Sequence, residues 1–355
     1  MERKVYCDYL RLFATFSVVI AHVAAVNWYS GDVNQWRWQM FNLYDSVVRW
    51  CVPVFVMLSG ALFLNREISI KDLYRKYILR LVIALFTWNV FYALINSDSF
   101  EKGILSGVKL HMNDLVYGHH HMWFVYMIMG IYICIPIYKK IVLDQKIMKY
   151  FLLVSFVVFL LIPWTTQVLN NFIVGNYGLV GKLVHVVQVY LSNLKLLHKV
   201  LRYSFYFVLG YYLDTIELKK SQRNIIYVLG AIGFILTIVL TSGISLKLQN
   251  PNETYYTPFT VNVFLESICV YTWFKYREYK SEKLNEVVSK MSKYTFGIYV
   301  THMFFIENLN SIFNLHLLSF FPVVSVPVIS MLVFVCALVV SATLNHIPII
   351  KKYCV

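Results

Sequence analysis

The chain has 355 residues, of which 59% are hydrophobic, 17% are aromatic and only 14% are charged. A soluble globular domain is usually about 45–50% apolar and about 25% charged, so this composition excludes an ordinary soluble protein. The formal net charge is +14. The positions of the basic residues decide whether that charge indicates nucleic-acid binding or a membrane surface.

The apolar residues fall into ten blocks, and most of them reach the roughly 18 residues that a membrane-spanning helix needs. In chain order the blocks are 6–27, 44–64, 78–96, 121–138, 149–169, 201–213, 225–243, 258–275, 295–313 and 323–346. Block 201–213 is short and rich in tyrosine, which makes it the weakest of the ten. The pattern predicts an all-α fold, a polytopic membrane helix bundle with about ten transmembrane helices. We expect residues 1–355 to form a single integral-membrane domain.

Lysine and arginine are distributed unevenly between the segments that connect these blocks. If the N-terminus is cytoplasmic, the inner segments hold most of the basic residues. The outer segments hold few: Arg37, Lys102, Lys109, Lys182, Lys195, Lys199 and Lys247. Cytoplasmic loops of membrane proteins are enriched in basic residues, so the bias predicts that both termini are cytoplasmic. The net charge then reflects orientation and attraction to the inner leaflet, and we expect no nucleic-acid partner.

The first block carries ionisable residues inside an apolar stretch, DYLRLFATFSVVIAHVAAVNW at residues 8–28. Ionisable groups inside a membrane are costly, so each is a candidate functional residue. Arg11 and His22 are separated on a helix by about 20° beyond three full turns and by about 16 Å along the axis. They share a helix face without touching, which favours a common polar cavity. An ion pair between Asp8 and Arg11 is the structural alternative for the arginine.

Five stretches of the sequence together resemble the acyltransferase-3 family of integral-membrane O-acyltransferases. The first is the arginine, ten residues and a histidine in DYLRLFATFSVVIAHV. Four more follow in the order of the family: CVPVFVMLSGALFL (51–64), HMWFVYMIMGIYICIPI (121–137), YSFYFVLGYYLD (203–214) and MSKYTFGIYVTHMFFI (291–306). Apolar helices look alike one at a time, so it is the order of the five and the embedded histidines that carry the resemblance. It covers nearly the whole chain.

The resemblance implies both an activity and its partners. Members of the family take an acyl group, usually acetyl from cytoplasmic acetyl-CoA, and place it on a hydroxyl of a cell-surface glycan or glycolipid. The expected partners are therefore acyl-CoA, a glycan or lipid-linked saccharide acceptor, and membrane lipids, in the plasma membrane of a bacterial cell. A sugar hydroxyl is a poor nucleophile at neutral pH and needs a proton acceptor, and histidine titrates in the right range for that role.

The first helix supplies the two main catalytic candidates. His22 lies toward the outer side, where an acceptor would enter, and is the expected general base. Arg11 lies near the inner side and is expected to bind the phosphates or carbonyls of the donor through charge-assisted hydrogen bonds. Arg75, Lys76 and Arg80 stand at the inner mouth of the third helix, where the family has a basic pair linked to donor binding. The alternative for these three residues is a charge cluster that orients the helix.

Two further stretches carry histidines. His302, within GIYVTHMFFI, matches a family histidine and is expected to be catalytic. His121 and Trp123 belong to GHHHMWF at 118–124 and are expected at the mouth of the site, in contact with the acceptor. Three consecutive histidines point in different directions on a helix or a strand, which is poor geometry for one metal ion. We therefore expect no metal.

Two other ionisable residues are candidates for substrate binding. Arg49 precedes the Pro53 motif near the outer face, where it meets the acceptor or pairs with Asp45. Glu266 lies in the middle of the apolar stretch VNVFLESICVY. It is expected to pair with a basic residue on another helix, such as Arg49 or Arg11.

Two rival functions stay open on the sequence. A membrane bundle with polar residues on facing helices could instead export a glycan or move a small solute. Matching Gly or Pro interruptions in two halves of the chain would favour transport, and the sequence shows no such symmetry. Membrane-bound O-acyltransferases also use an intramembrane histidine, but their first helix lacks the signature of an arginine, ten residues and a histidine. The sequence leaves the acyl group, the acceptor and the oligomeric state undetermined.

Overall fold

The computed structural model describes residues 3–95, 118–173, 198–315 and 321–355, and every regular element in these ranges is a helix. The main helices are α1 (Val5–Trp28), α2 (Trp36–Ser46), α3 (Cys51–Phe63), α4 (Leu79–Ile95), α5 (Trp123–Ile133), α6 (Ile135–Leu143), α7 (Gln145–Phe156), α8 (Ile162–Val168), α9 (His198–Thr215), α10 (Lys220–Leu248), α11 (Val261–Tyr276), α12 (Glu282–Ser292), α13 (Thr295–Glu307) and α14 (Pro322–Leu344). The predicted all-α membrane fold is confirmed.

Within the described ranges, six helices are long and apolar enough to cross a membrane, or seven if the bent pair α5–α6 is one span. The six are Val5–Trp28, Trp36–Phe63, Ile70–Ile95, Gln145–Ile173, Lys220–Leu248 and Pro322–Leu344. The three other predicted spans, 201–213, 258–275 and 295–313, form the shorter helices α9, α11 and α13. The number ten and the cytoplasmic placement of both termini stay predictions.

Two of the spans differ in shape from their apolar blocks. The block predicted at 44–64 is preceded by α2, whose Trp38 and Phe41 are buried in the core although the helix is polar overall. The block at 121–138 bends by 55° between α5 and α6. Pro136 lies in the first turn of α6. Because proline has no backbone N–H and its ring clashes with the preceding turn, it breaks the helix there.

The helix α1 is central to the bundle. It packs against α2, α3, α11, α12, α13 and α14. Its first half contributes Leu10 and Ala14 to one cluster of buried apolar residues, and its second half contributes Val19 and Val23 to another. The side chains of Arg11 and His22 are therefore placed where most of the bundle can reach them.

The helices α3 and α9 approach each other closely enough for their backbones to touch. A Cβ added to Gly60 would lie 1.7 Å from the Phe207 carbonyl oxygen, and one added to Gly210 would lie 1.9 Å from the Met57 carbonyl oxygen. Glycine is needed at both positions because no side chain fits. Small residues at such crossings are typical of membrane helices, whose association depends on close packing.

Candidate functional site

A cavity of about 1130 Å³ runs along α1. The α1 residues that line it begin at Arg11, include His22, and are followed by Tyr29 just after the helix ends. Eighteen residues of helix correspond to about 27 Å, close to the hydrocarbon thickness of a bilayer of about 30 Å. Arg11 and His22 therefore line one cavity, as their spacing predicts, and stand at different depths in it.

His22 is held by a histidine on another helix. The Nδ1 atom of His22 lies 2.9 Å from Nε2 of His302, which is fully buried on α13. The Nδ1 atom of His302 lies 2.6 Å from the backbone carbonyl oxygen of Tyr299. His302 is thus brought together with His22, but it stands behind His22 and does not itself line the cavity.

The direction of these hydrogen bonds follows from the carbonyl at their end. A carbonyl oxygen can only accept, so Nδ1 of His302 carries the hydrogen and Nε2 of the neutral ring is an acceptor. Nδ1 of His22 must then donate to it, which leaves Nε2 of His22 with a lone pair. The His22 ring is partly exposed and lines the cavity. This is the tautomer and orientation that a general base requires.

A second hydrogen-bonded chain joins two more histidines to a carboxylate. Nε2 of His119 lies 2.9 Å from Oε1 of Glu307, and Nδ1 of His119 lies 2.7 Å from Nδ1 of His121. His121 is 1% exposed, and its Nε2 has no hydrogen-bond partner among the described residues. The Tyr299 hydroxyl donates to the backbone carbonyl of His121, so Tyr299 contacts both chains. Neither His119 nor Glu307 stands out in the sequence as a site residue, although the histidine run points to this region.

The three consecutive histidines were expected to be poor geometry for one metal ion, but two of them lie close to a carboxylate from another helix. His119, His120 and Glu307 bring possible ligand atoms within 4.8 Å of one another, because a 3₁₀ turn at His120–Met122 and the end of α13 meet here. Both ring nitrogens of His119 are already hydrogen-bonded, one to Glu307 and one to His121. A metal ion would have to displace one of these bonds. The absence of a metal stays a prediction.

The opposite end of the cavity is basic. We call it the basic end and define it by its cations, Arg11, Arg66, Arg80 and Lys293. We call the other end, with His22, His120 and His121 in its lining, the histidine end. The lining includes two carboxylates, Glu253 and Glu307. Glu307 is bonded to His119, which directly precedes His120 and His121 of the histidine end. No carboxylate in the described part of the chain forms a salt bridge with any of the four cations.

The alternative for Arg11, an ion pair with Asp8, is not formed in the structure. Asp8 instead accepts from Nε of Arg3 at 2.7 Å and from the Ser292 hydroxyl at 2.8 Å. Within the described ranges the Arg11 side chain has no hydrogen-bond partner, and it is directed to the cavity. Its cost inside the membrane is therefore not offset by Asp8, which strengthens the case for a ligand.

The three basic residues before and in α4 separate into two environments. Arg80 lines the cavity and donates to the backbone oxygen of Val355 at 2.5 Å. Arg75 and Lys76 are exposed and lie outside the lining, and Lys76 pairs with Asp72 at 3.0 Å. For these two residues the structure favours the alternative of an orienting charge cluster.

Aromatic and charged groups surround the cavity near His22. Arg49 pairs with Asp45, and its guanidinium carbon lies 4.0 Å above the centre of the Tyr256 ring. Trp123, Arg49 and Tyr256 all line the cavity. The Tyr29 hydroxyl donates to Glu253 at 2.8 Å.

Partial burial and the bond to Glu253 raise the pKa of Tyr29 to about 12, so Tyr29 keeps its proton at neutral pH. It is therefore held as a hydrogen-bond donor at the rim of the cavity.

Glu266 lies elsewhere in the bundle. It is fully buried, accepts a hydrogen bond from the Thr237 hydroxyl on α10, and is not part of the cavity lining. Its expected ion pair with Arg49 or Arg11 is not formed, because Arg49 is already paired with Asp45. The structure therefore does not bring Glu266 to the other candidate residues.

Comparison with known proteins identifies the family. Residues 4–346 match the acyltransferase-3 family model, which is described as an acyltransferase domain. No curated protein and no solved structure matches the chain. The match covers every described helix that lines the cavity, and it agrees with the resemblance of the five stretches. The chain belongs to the acyltransferase-3 family, and it is a multi-pass membrane acyltransferase.

Proposed function

We propose that the protein transfers an acyl group, in the first instance acetyl, from cytoplasmic acyl-CoA to a hydroxyl of a cell-surface glycan or glycolipid at the plasma membrane. One observation carries the proposal: His22 is hydrogen-bonded as a neutral base at one end of a membrane-deep cavity whose other end holds four cations. Family membership supplies the class of reaction, acyl transfer.

The basic end suits the donor. Coenzyme A carries several phosphate groups, and guanidinium and ammonium groups bind phosphate through charge-assisted hydrogen bonds. Arg11 and Lys293 line the cavity without a carboxylate partner among the described residues, so a bound anion would provide their counter-charge, and Arg80, which donates to Val355, lines the same cavity. The depth from Arg11 to His22, about 16 Å of helix, lets a long flexible arm present its thioester at the histidine.

The histidine end suits the acceptor. Trp123 offers an exposed aromatic face and Arg49 offers further N–H donors, and both line the cavity together with His22. An amphipathic sugar ring can pack on such faces while its hydroxyls are hydrogen-bonded. The proposal therefore has donor and acceptor enter from opposite ends and meet at His22.

In the proposed reaction, His22 carries one proton from the acceptor hydroxyl to the leaving sulfur. Nε2 of His22 accepts the proton of the acceptor hydroxyl as its oxygen attacks the thioester carbon, and a C–O bond forms. The C–S bond of the tetrahedral intermediate then breaks, and the proton on His22 passes to the departing thiolate. His302 accepts from Nδ1 of His22 throughout and stabilises the transient imidazolium. The products are an ester and free coenzyme A.

Mass spectrometry of surface glycans tests this proposal. Glycans from cells with and without the protein should differ by a lost acyl increment, and re-expression of the wild-type protein should restore it. Re-expression of His22→Gln should not. An unchanged glycan profile together with altered uptake of a solute would contradict the proposal and favour transport.

A further inference from the structure

The two histidine chains end on different groups. The chain of His22 and His302 ends on the neutral backbone carbonyl of Tyr299, whereas the chain of His121 and His119 ends on the carboxylate of Glu307. A carboxylate stabilises an imidazolium through its charge, and a carbonyl provides only its dipole. The second chain therefore ends on a charged acceptor, which the first chain lacks.

The hydrogen bond between His119 and His121 decides what Nε2 of His121 can do. Nε2 of His119 donates to Glu307, because an ionised carboxylate only accepts. When His119 is the cation of this ion pair, its Nδ1 also carries a hydrogen and donates to Nδ1 of His121. The hydrogen of neutral His121 is then on Nε2. His121 becomes a hydrogen-bond donor, the opposite of His22.

The Nε2 atom of His121 is also a buried polar atom that lacks a hydrogen-bond partner among the described residues. Buried polar groups are nearly always hydrogen-bonded, and an exception calls for a functional explanation. His121 is one of the residues that line the cavity. Its centre is 5.5 Å from the centre of the His302 ring, which in turn is 5.0 Å from that of His22. His121 is thus placed beside the proposed base.

We propose that His121 is the oxyanion donor of the reaction, and that His119 and Glu307 are positioning residues that hold it as a donor. The inference rests on the proposed function, since an oxyanion forms only if a hydroxyl attacks a thioester here. Nε2–H of His121 would bind the thioester carbonyl oxygen, and this hydrogen bond strengthens as negative charge develops on that oxygen. No proton leaves His121 in the cycle, because His22 takes the hydroxyl proton and returns it to the sulfur.

The surroundings of His121 permit this role. The titratable rings packed against it are His22, His119, His120, His302, Tyr92 and Tyr299. Glu307 is the carboxylate that reaches this group within the described residues. Its charge acts through His119 and does not contact the reacting atoms. A neutral donor beside a neutral base also avoids two cations at the point where the base must accept a proton.

Two substitutions of His121 separate a donor from a base. The amide of His121→Gln can still donate a hydrogen bond, so we expect a loss of about tenfold in kcat, whereas His121→Leu should lose about 10²–10³, as for removal of an oxyanion-hole donor. The assay measures release of free thiol from acetyl-CoA and ester formation on glycan isolated from cells lacking the protein. His346→Gln, an exposed histidine, is the matched control.

Equal losses for the Gln and Leu variants, in protein that accumulates normally in the membrane, would overturn the donor role of His121. The proposed function would survive that result if the wild-type protein is active. A wild-type protein that forms no ester would instead overturn the proposed function, and this inference with it.

Glu307→Gln tests the positioning role. The amide keeps the shape and the acceptor oxygen but lacks the charge, so His119 loses its counter-ion and His121 its donor hydrogen. We expect kcat to fall by about tenfold with KM within about twofold, whereas Glu286→Gln, an exposed control, should leave both unchanged. A normal kcat in Glu307→Gln would overturn the role of the ion pair. A loss of wild-type activity on removal of metal by a chelator would also overturn it, since His119, His120 and Glu307 would then be ligands.

Discussion

The basic end and the histidine end of the cavity satisfy their polar groups in different ways. At the basic end, Arg11 has no hydrogen-bond partner in the described part of the chain. At the histidine end, His22, His302 and His119 are each bonded to another side chain or to a carbonyl. Cations without a partner anticipate a charged ligand, whereas bonded histidines fix where protons lie before a ligand arrives. One end of the cavity is therefore suited to binding and the other to chemistry.

The largest effect should come from removing the general base at the histidine end. Removal of a positioned proton acceptor costs about 10²–10⁴ in rate, and His22→Gln keeps shape and hydrogen bonding without basicity. We expect it to bind acetyl-CoA normally and to lose ester formation by that factor. Ester formation on isolated glycan measures the loss, and His346→Gln is the matched control. Near-normal activity of His22→Gln would show that His22 is not the general base.

A smaller effect should follow from changing the residue behind the base. In His302→Leu, Nδ1 of His22 loses its acceptor and the ring is free to turn, and misplacement of a catalytic group costs about 10² in rate. His302→Gln offers an amide oxygen near the position of Nε2, so we expect it to recover most of the activity. The same ester assay compares the two variants. A His302→Gln protein as inactive as His302→Leu would show that His302 itself must exchange a proton.

The basic end should respond in binding and not in chemistry. Charge-assisted hydrogen bonds are worth roughly 1.5–3 kcal/mol each, so Arg11→Ala should weaken acyl-CoA binding by roughly 10- to 150-fold. The rate at saturating donor should change little. A thermal-shift titration with acetyl-CoA measures the affinity, with the exposed Arg37→Ala as the control. Undiminished stabilisation of a well-folded Arg11→Ala protein by acetyl-CoA would contradict the role of this end.

The smallest effect is expected for two basic residues that lie just outside the basic end. Arg75 and Lys76 lie outside the cavity, and exposed salt bridges such as that of Lys76 with Asp72 contribute about 0–1 kcal/mol. Arg75→Ala and Lys76→Ala should therefore change the affinity for acetyl-CoA by less than about twofold. Arg80→Ala should weaken it clearly in the same titration. If all three variants weaken binding equally, the donor site extends beyond the cavity.

The sequence was sufficient for features that depend on local geometry. The placement of Arg11 and His22 along one cavity follows from the helical repeat within a single helix. The all-α membrane fold follows from the length of the apolar blocks. The family resemblance pointed to His302 as a site residue, and the structure brings it against His22 although 280 positions separate them. In each case one helix or one ordered set of motifs contained the information.

The rest depends on which distant residues meet. The spacing suggested an ion pair between Asp8 and Arg11, three positions away. In the fold, Asp8 accepts a hydrogen bond from Ser292, 284 positions along the chain. The pairing of His119 with Glu307 likewise joins two segments that no local pattern connects. The packing of the helices decides which polar groups meet. A single sequence therefore indicates that a buried charge needs a partner, but it does not identify that partner.

The division of the cavity is tested most directly by a structure of the protein with a thioether analogue of acetyl-CoA, which cannot transfer its acyl group. We expect the phosphates to lie against Arg11, Arg80 and Lys293 and the acyl carbon to lie beside Nε2 of His22. Phosphates bound at the histidine end, or an acyl group outside the cavity, would contradict it.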